Sequence, residues 1–258
     1  MSKVSVVIIA KNEELKIRDC LESVKGWSDD IIVADDCSSD KTLEIAQEYT
    51  NRIYTKKMEV EGIYRNWAHS LAAYNWILLL DADERMTNEL KKEIDNVLKN
   101  NPKFNGYDIP RKNYIGKYWV RYGGWYPSSQ LKLFRKDKFK FEEAEIHMRA
   151  FMEGETGHLK GDIVHYSYND FGDFLNKLNR QTTLEAKKWI RTKRKMSLFR
   201  AAWRTADRFF RSYLYKKAYK DGFMGFMVAF FSSLYQIVSY AKFRQMKLGQ
   251  NECLKLYS

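Results

Sequence analysis

The stretch Trp76-Ile77-Leu78-Leu79-Leu80-Asp81-Ala82-Asp83 decides the fold. Five large apolar residues in a row suit a strand buried on both faces, the condition of a central strand in a parallel sheet. The run stops at two carboxylates spaced two apart, which point to one side of an extended chain. Working outward, Val4–Ala10 is a second run of this kind and ends at Lys11-Asn12. Residues 31–34 form a third and end at Asp35-Asp36. Between them lie segments with helical spacing: Glu13 to Lys25 with Ile17, Leu21 and Val24 on one face, a helix carrying Leu43 and Ile45 behind a cap at Asp40, and one through Arg65–Ala73. Arg52 to Lys56 reads as another strand, and Thr87 as the cap of a helix bearing Leu90, Ile94, Val97 and Leu98.

Strand and helix therefore alternate through the first hundred residues. This is the pattern of a mostly parallel α/β sheet with crossover helices. Ligands of such sheets bind beyond the carboxyl ends of the strands, where Lys11, Asp35-Asp36 and Asp81-Ala82-Asp83 all fall. From about Gly106 the pattern shifts to short, aromatic, turn-punctuated strands, a small mixed β extension. From Asn169 it reads as helix to the end. The expected organisation is an α/β domain over 1–168, with a first part over 1–105 and a β extension over 106–168, then a helical region over 169–258.

The 258 residues are 45% hydrophobic and 30% charged, which places them among folded proteins. Cys20, Cys37 and Cys253 form no metal or disulfide spacing and read as incidental thiols of a reducing compartment. The N-terminal apolar run meets charge at once and reads as a strand, not a signal peptide. The net charge of +12 is local: Lys and Arg crowd between Asn176 and Lys220 against only Glu185 and Asp207. Arg200, Arg204, Arg208 and Arg211 recur at helical spacing beside a stripe of Phe199, Trp203, Phe210 and Tyr213. That combination describes a helix in a membrane interface. The uncharged run 222–241 is long enough to span a bilayer, but Gly225, Ser232, Ser233, Gln236 and Ser239 favour an interfacial or protein-packed helix. Without any nucleic-acid-binding signature, the basic segment points away from nucleic acid.

Carboxylates at a strand end suit a hard divalent cation that also takes diphosphate oxygens. The segments VSVVIIAKNEE, IIVADDCSSDKT and YRNWAHSLAAYNWILLLDADE, in this order and spacing, resemble the family 2 glycosyltransferases of GT-A (Rossmann-like) fold. GGWYPSSQLKLFRK, LKGDIVHYSY and the basic tail resemble the subgroup that adds sugars to lipopolysaccharide core or related surface glycans.

The resemblance implies an inverting hexosyl transfer from a UDP-sugar to a lipid-linked or lipid A-core saccharide, with Mg²⁺ or Mn²⁺. It places Ile9, Ala10, Lys11 and Glu13 along the nucleotide, Asp35 or Asp36 on the base, and Arg65 near the base or phosphates. Asp81 and Ala82 would lie at the ribose or donor sugar. Asp83 would bind the metal, with His165 as a further ligand. Relatives carry His-Glu where this chain has His147-Met148, so the base is displaced; Glu145 is the expected substitute and Glu143 the next. Trp125, Tyr126 and Gln130 are the acceptor-side candidates. The implied location is the cytoplasmic membrane face, with residues 176–241 on an anionic surface; a homo-oligomer stays open. A nucleotidyltransferase-like enzyme is one alternative, although AKNEE lacks the Gly-rich basic loop it needs. A non-catalytic membrane scaffold of the same fold is another.

Overall fold

The computed structural model describes residues 3–100, 102–143 and 149–256, with side chains as far as Leu248. It divides into two compact units: residues 1–112 with 127–166, and residues 113–126 with 167–258.

The first unit opens with β1 (Val4–Ala10), α1 (Ile17–Val24), β2 (Asp30–Asp35), α2 (Thr42–Gln47), β3 (Ile53–Thr55), α3 (Glu61–Ser70) and β4 (Trp76–Asp81). Then come β5 (Glu84–Met86), α4 (Asn88–Lys99), β6 (Gly106–Ile109) and the start of β7 (Arg111–Ile115). β8 (Tyr118–Trp119) belongs to the second unit, as does the rest of β7. The first unit resumes with β9 (Gln130–Arg135), β10 (Phe139–Phe141), β11 (Ala150–Met152), β12 (Thr156–His158) and most of β13 (Ile163–Tyr168).

Seven strands form one sheet in the order β12-β6-β9-β4-β1-β2-β3. β1 runs parallel to both β2 and β4, and β2 runs parallel to β3. β9 enters antiparallel between β4 and β6. The mostly parallel α/β architecture expected from the apolar runs is therefore present. The chain leaves β1 towards β2 and β3, then returns across it to β4. That reversal makes the carboxyl ends of β1 and β4 the switch point where such sheets bind ligands.

All seven residues of β1 are buried, as a central strand requires. One face packs on Ile17, Leu21 and Val24 of α1 and Leu90 and Ile94 of α4. The other packs on Tyr64, Ala68 and Ala72 from α3 and the turn beyond it. Local chemistry moves some helix ends from their expected places. Asn12 adopts a positive φ of 52°, and α1 begins only at Ile17. Asp40 stands one residue before the cap position of α2, Lys41, and its Oδ1 accepts from Thr42 N at 3.0 Å. Thr87 caps α4, its hydroxyl accepting from Leu90 N. α3 ends at Ser70 because the following turn is tied to the sheet: Ala73 N donates to Asp30 and Tyr74 N to Ser5.

His69 of α3 is 5% exposed, with its ring 5.0 Å from that of Phe134 and close to Phe139 and Phe141. Its Nε2 has no hydrogen-bond partner among the described residues. Burial, with the Arg65 charge second, lowers its pKa to about 3. The unfolded chain then binds more protons than the folded one between the ordinary histidine value and 3. Stability is present above that window and is lost as pH falls through it, at up to about 1.4 kcal/mol per pH unit. His69→Leu is expected to flatten the acid limb of a urea-midpoint-against-pH series. An unchanged slope below pH 6 would contradict this.

The second unit holds α5 (Phe171–Arg191), α6 (Leu198–Phe210), α7 (Gly222–Ser233) and α8 (Tyr235–Leu256). Segment 113–126 joins it through a specific anchor: Asp221 Oδ2 accepts from Arg121 N at 2.9 Å and Tyr122 N at 2.8 Å. Trp125 packs with Tyr168 and Phe174 around a small core of Ile115, Val120 and Val228. Trp119 and Tyr126 stack edge to face.

The apolar run 222–241 is divided between α7 and α8, which abut at Leu234. Ser233 and Ser239 are buried, their hydroxyls donating to carbonyls one turn back. By length and composition alone, Ala218–Leu248 is apolar enough to cross a membrane. The arginine row of α6 and its C-cap is not uniformly free: Arg211, the cap, pairs with Asp207 at 2.8 Å, and Arg208 lies over the Tyr235 ring. Tyr213 stacks on Phe209 and meets Phe226, whereas Phe199, Trp203 and Phe210 face outward.

Candidate active site

The switch point is built from β1, β2 and β4. Register sets Ile9 beside Asp81 and Ala10 beside Asp35, and Ala82 N donates to Ile9 O at 3.0 Å. The strand-end residues singled out from the sequence thus lie side by side.

Asp35 is fully buried and ordered within its own turn. Its Oδ2 accepts from Ser38 N at 2.9 Å and its Oδ1 from the Ser38 hydroxyl at 2.5 Å. Cys37 takes a positive φ of 52° to close that turn. Asp36 Oδ1 accepts from Met58 N at 2.7 Å, and its Oδ2 pairs with Lys11 Nζ at 2.7 Å. Asn12 ties the two neighbouring loops together through Ser38 and Ser39. Glu13 N donates to Thr42, and its carboxylate lies 3.9 Å from Lys16 Nζ. A preformed, rigid rim results on the β1–β2 side.

Asp81 is the centre of an ion network that sequence reasoning missed. Arg65 Nη2 donates to its Oδ1 at 3.2 Å, and Lys132 Nζ to its Oδ2 at 2.9 Å. Lys132, only 2% exposed, also donates to Glu84 Oε2 at 2.6 Å. Glu84 has no exposed surface; it accepts from Asp81 N and pairs with Arg111 at 3.3 Å. Burial alone would raise the Asp81 pKa, but Lys132 and then Arg65 hold its carboxyl well below the usual range. Burial likewise opposes the Lys132 charge, and Asp81 and Glu84 more than restore it. In the sequence its traces are a carboxylate directly after Asp81-Ala82-Asp83 and a lysine inside the strand Gln130–Arg135, and neither marks the pairing.

Asp83 takes the other side. β13 pairs antiparallel with β5, setting His165 opposite Glu84, and Tyr166 N donates to Asp83 O at 2.9 Å. His165 Nε2 thereby lies 3.4 Å from Asp83 Oδ2, with both side chains mostly shielded. Burial opposes ionisation of Asp83, yet the hydrogen bond and charge of His165 lower its pKa. Among the described residues no group of three or more His, Cys, Asp or Glu converges on one point. One carboxylate and one imidazole are donors suited to a divalent cation, and two protein ligands leave room for diphosphate oxygens. The pair therefore fits the metal expected here.

The remaining candidates are dispersed. Gln130 is exposed at the start of β9, while Trp125 and Tyr126 pack within the second unit. Glu145, like His147 and Met148, lies outside the described residues. Nearby, Glu142 accepts from Arg149 N, and Glu143 pairs with Lys140 at 2.8 Å.

An α/β sheet with carboxylates clustered at its switch point defines a protein of the doubly wound class with a polar ligand site at the carboxyl ends of its strands. The family profile described as Glycosyl transferase family 2 matches residues 5–154, and the chain belongs to that family. It is similar to an uncharacterized glycosyltransferase of Rickettsia typhi, at 26% identity over 96% of this chain and 89% of that relative. It is also similar to the lipopolysaccharide core biosynthesis glycosyltransferase LpsC of Rhizobium meliloti, at 23% identity over 93% of this chain and 92% of the relative. Among solved structures, S. aureus TarS 1-349 in complex with UDP is similar over 95% of this chain and 92% of that one, with 17% identity and a TM-score of 0.48.

Proposed function

We propose that this glycosyltransferase moves a hexose from a UDP-sugar to a lipid-linked or lipopolysaccharide-core saccharide, with inversion. The observation that carries the reading is the meeting of Asp83 and His165 at 3.4 Å beside the Asp81 network. Similarity to LpsC supports the acceptor class.

In this reading Asp83 and His165 hold Mg²⁺ or Mn²⁺. When bound, the cation neutralises charge that develops on the leaving diphosphate. Ile9, Ala10, Lys11, Glu13 and the Asp35-Asp36 turn form the nucleotide rim, with Asp35 or Asp36 meeting the base. Asp81 and Ala82 face the ribose or donor sugar. Arg65 and Lys132 keep the Asp81 carboxylate ionised and fixed, so that it accepts sugar hydroxyls without reorganising. A carboxylate must take the proton of the attacking acceptor hydroxyl, and Glu145 is assigned that role. Trp125, Tyr126 and Gln130 are assigned to the acceptor. The catalytic domain is assigned to 1–168 and the helical region to 169–258. That region, through residues 176–241, rests on the anionic cytoplasmic membrane face. Phe199 at 80%, Trp203 at 67% and Phe223 at 74% exposed support a surface that meets lipid.

The test is transfer from a panel of UDP-sugars to lipopolysaccharide-core acceptors, with and without EDTA. Turnover is expected to vanish with EDTA and return with Mn²⁺. Undiminished turnover in EDTA would contradict the reading.

A further inference from the structure

In the second unit, the end of α5, the α5–α6 connection and the outer turns of α8 enclose a cavity of about 660 Å³. Its floor is apolar: Trp189 and Phe243 are 1% and 6% exposed and meet edge to face at 6.0 Å. Its rim carries Lys193, Arg194, Lys195, Arg200, Arg244 and Lys247, and no carboxylate lines it among the described residues. Glu185 answers one of these, lying 3.8 Å from Arg194 while also accepting from Trp189 Nε1. Lys193, Lys195 and Arg244 have no carboxylate partner among the described residues. Six cations around one concave surface repel each other, and an anion relieves that repulsion.

The backbone gathers these exposed cations around one rim. Lys193 adopts φ +50°, and Arg194 N donates to Trp189 O at 2.9 Å, which folds the connection back over the end of α5. Ser197 then caps α6, so the positive end of a 13-residue helix opens beside the same cavity.

A second cavity, of about 460 Å³, lies farther along the same helices. It is lined by Ala202, Thr205 and Phe209 of α6, Phe226 of α7, and Leu234 and Ile237 on the α8 side. Its lining is almost entirely apolar, and the buried Thr205 hydroxyl has no partner among the described residues. Passing from Arg200 to Thr205 and Phe209 on α6, or from Arg244 to Ile237 on α8, leads from the basic cavity to the apolar one. At 1.5 Å rise per residue the step is about 10 Å. The headgroup layer of a bilayer leaflet is about 5–8 Å thick.

We propose that the two cavities together bind one phosphate-headed lipid, with the phosphate among the cations of the first and an acyl chain in the second. This deepens the membrane-surface reading, because it replaces a diffuse attraction by one stoichiometric site. The arrangement needs both parts: cations for the phosphate and an apolar groove within reach of them.

The test uses the full chain and monomeric dihexanoyl phosphatidic acid, followed by calorimetric titration. Inorganic phosphate and dihexanoylglycerol serve as the two separate halves. One-site saturation is expected, with each half binding at least tenfold more weakly. Lys195→Glu with Arg244→Glu, both at exposed positions, is expected to weaken the lipid at least tenfold. Arg244→Gln covers the case in which charge reversal disturbs folding and should act in the same direction. Lys92→Glu, at an exposed position on α4 of the first unit, should leave this affinity unchanged. Should the chain fail to bind anionic vesicles yet still saturate with the short lipid, the membrane-surface reading falls and the lipid site stands. Equal affinity for inorganic phosphate would mean a free-phosphate site and overturn the proposal. So would lipid binding that ignores the Lys195 and Arg244 substitutions.

Discussion

Asp83→Ala is expected to lower glycosyl transfer by on the order of 10²–10³-fold, the usual cost of removing one electrostatic stabiliser of a transition state. The reason is geometric. Asp81 already has Arg65 on one oxygen and Lys132 on the other, whereas Asp83 faces a neutral-capable imidazole. Of the two carboxylates, Asp83 is therefore the one available to a cation. The fold should survive, because Asp83 contributes to packing mainly through its backbone, whose carbonyl accepts from Tyr166 N. Kinetics and a thermal midpoint on the same sample check both halves. Transfer within tenfold of the parent, still dependent on Mn²⁺, would remove Asp83 from the site.

Lys132→Met is expected to act on stability first. The ammonium is the shared partner of Asp81 and the fully buried Glu84, with Arg111 at 3.3 Å as the other cation on Glu84. Removing one member of a buried ion network leaves an uncompensated charge, at a cost of about 3–5 kcal/mol. Replacing both partners restores much of such a loss, so Lys132→Met with Glu84→Gln should be more stable than Lys132→Met alone. Urea midpoints of the three variants measure this. A loss below about 1 kcal/mol in the single variant would show that the network carries little of the fold's stability. Transfer by the double variant should remain low, because Asp81 has lost the cation that fixes one of its oxygens.

The sheet was legible because its central strands β1, β2 and β4 are buried on both faces and its helices are not. Val6–Ala10 and Trp76–Leu80 are unbroken apolar runs, and the polar residues that follow each run reach the switch point by topology alone. The Lys132–Glu84–Arg111 network was not legible. Lys132 alternates with Leu131 and Leu133 as a solvent-facing residue of a half-exposed strand does, and its partners come from strands about fifty residues away. Asp83 and His165 meet only through the pairing of β5 with β13, two short strands far apart in sequence. His165 could thus be nominated by resemblance but not by periodicity. The basic segment showed its charge and amphipathic spacing, yet Arg200, Arg208 and Arg211 meet different surroundings because neighbouring helices, not α6 alone, decide what each one touches.

In the proposed function Asp83 and His165 hold a divalent cation on a uridine diphosphate. Thermal unfolding with UDP in Mn²⁺ and in EDTA, for the parent chain, Asp83→Ala and His165→Ala, tests it most directly. A ligand at a hundred times its Kd stabilises the folded state by about 2.7 kcal/mol. A clear upward shift is expected for the parent chain with UDP and Mn²⁺ together, with little from UDP in EDTA and little in either variant. An equal UDP shift in EDTA, or an undiminished Mn²⁺-dependent shift in Asp83→Ala, would contradict it.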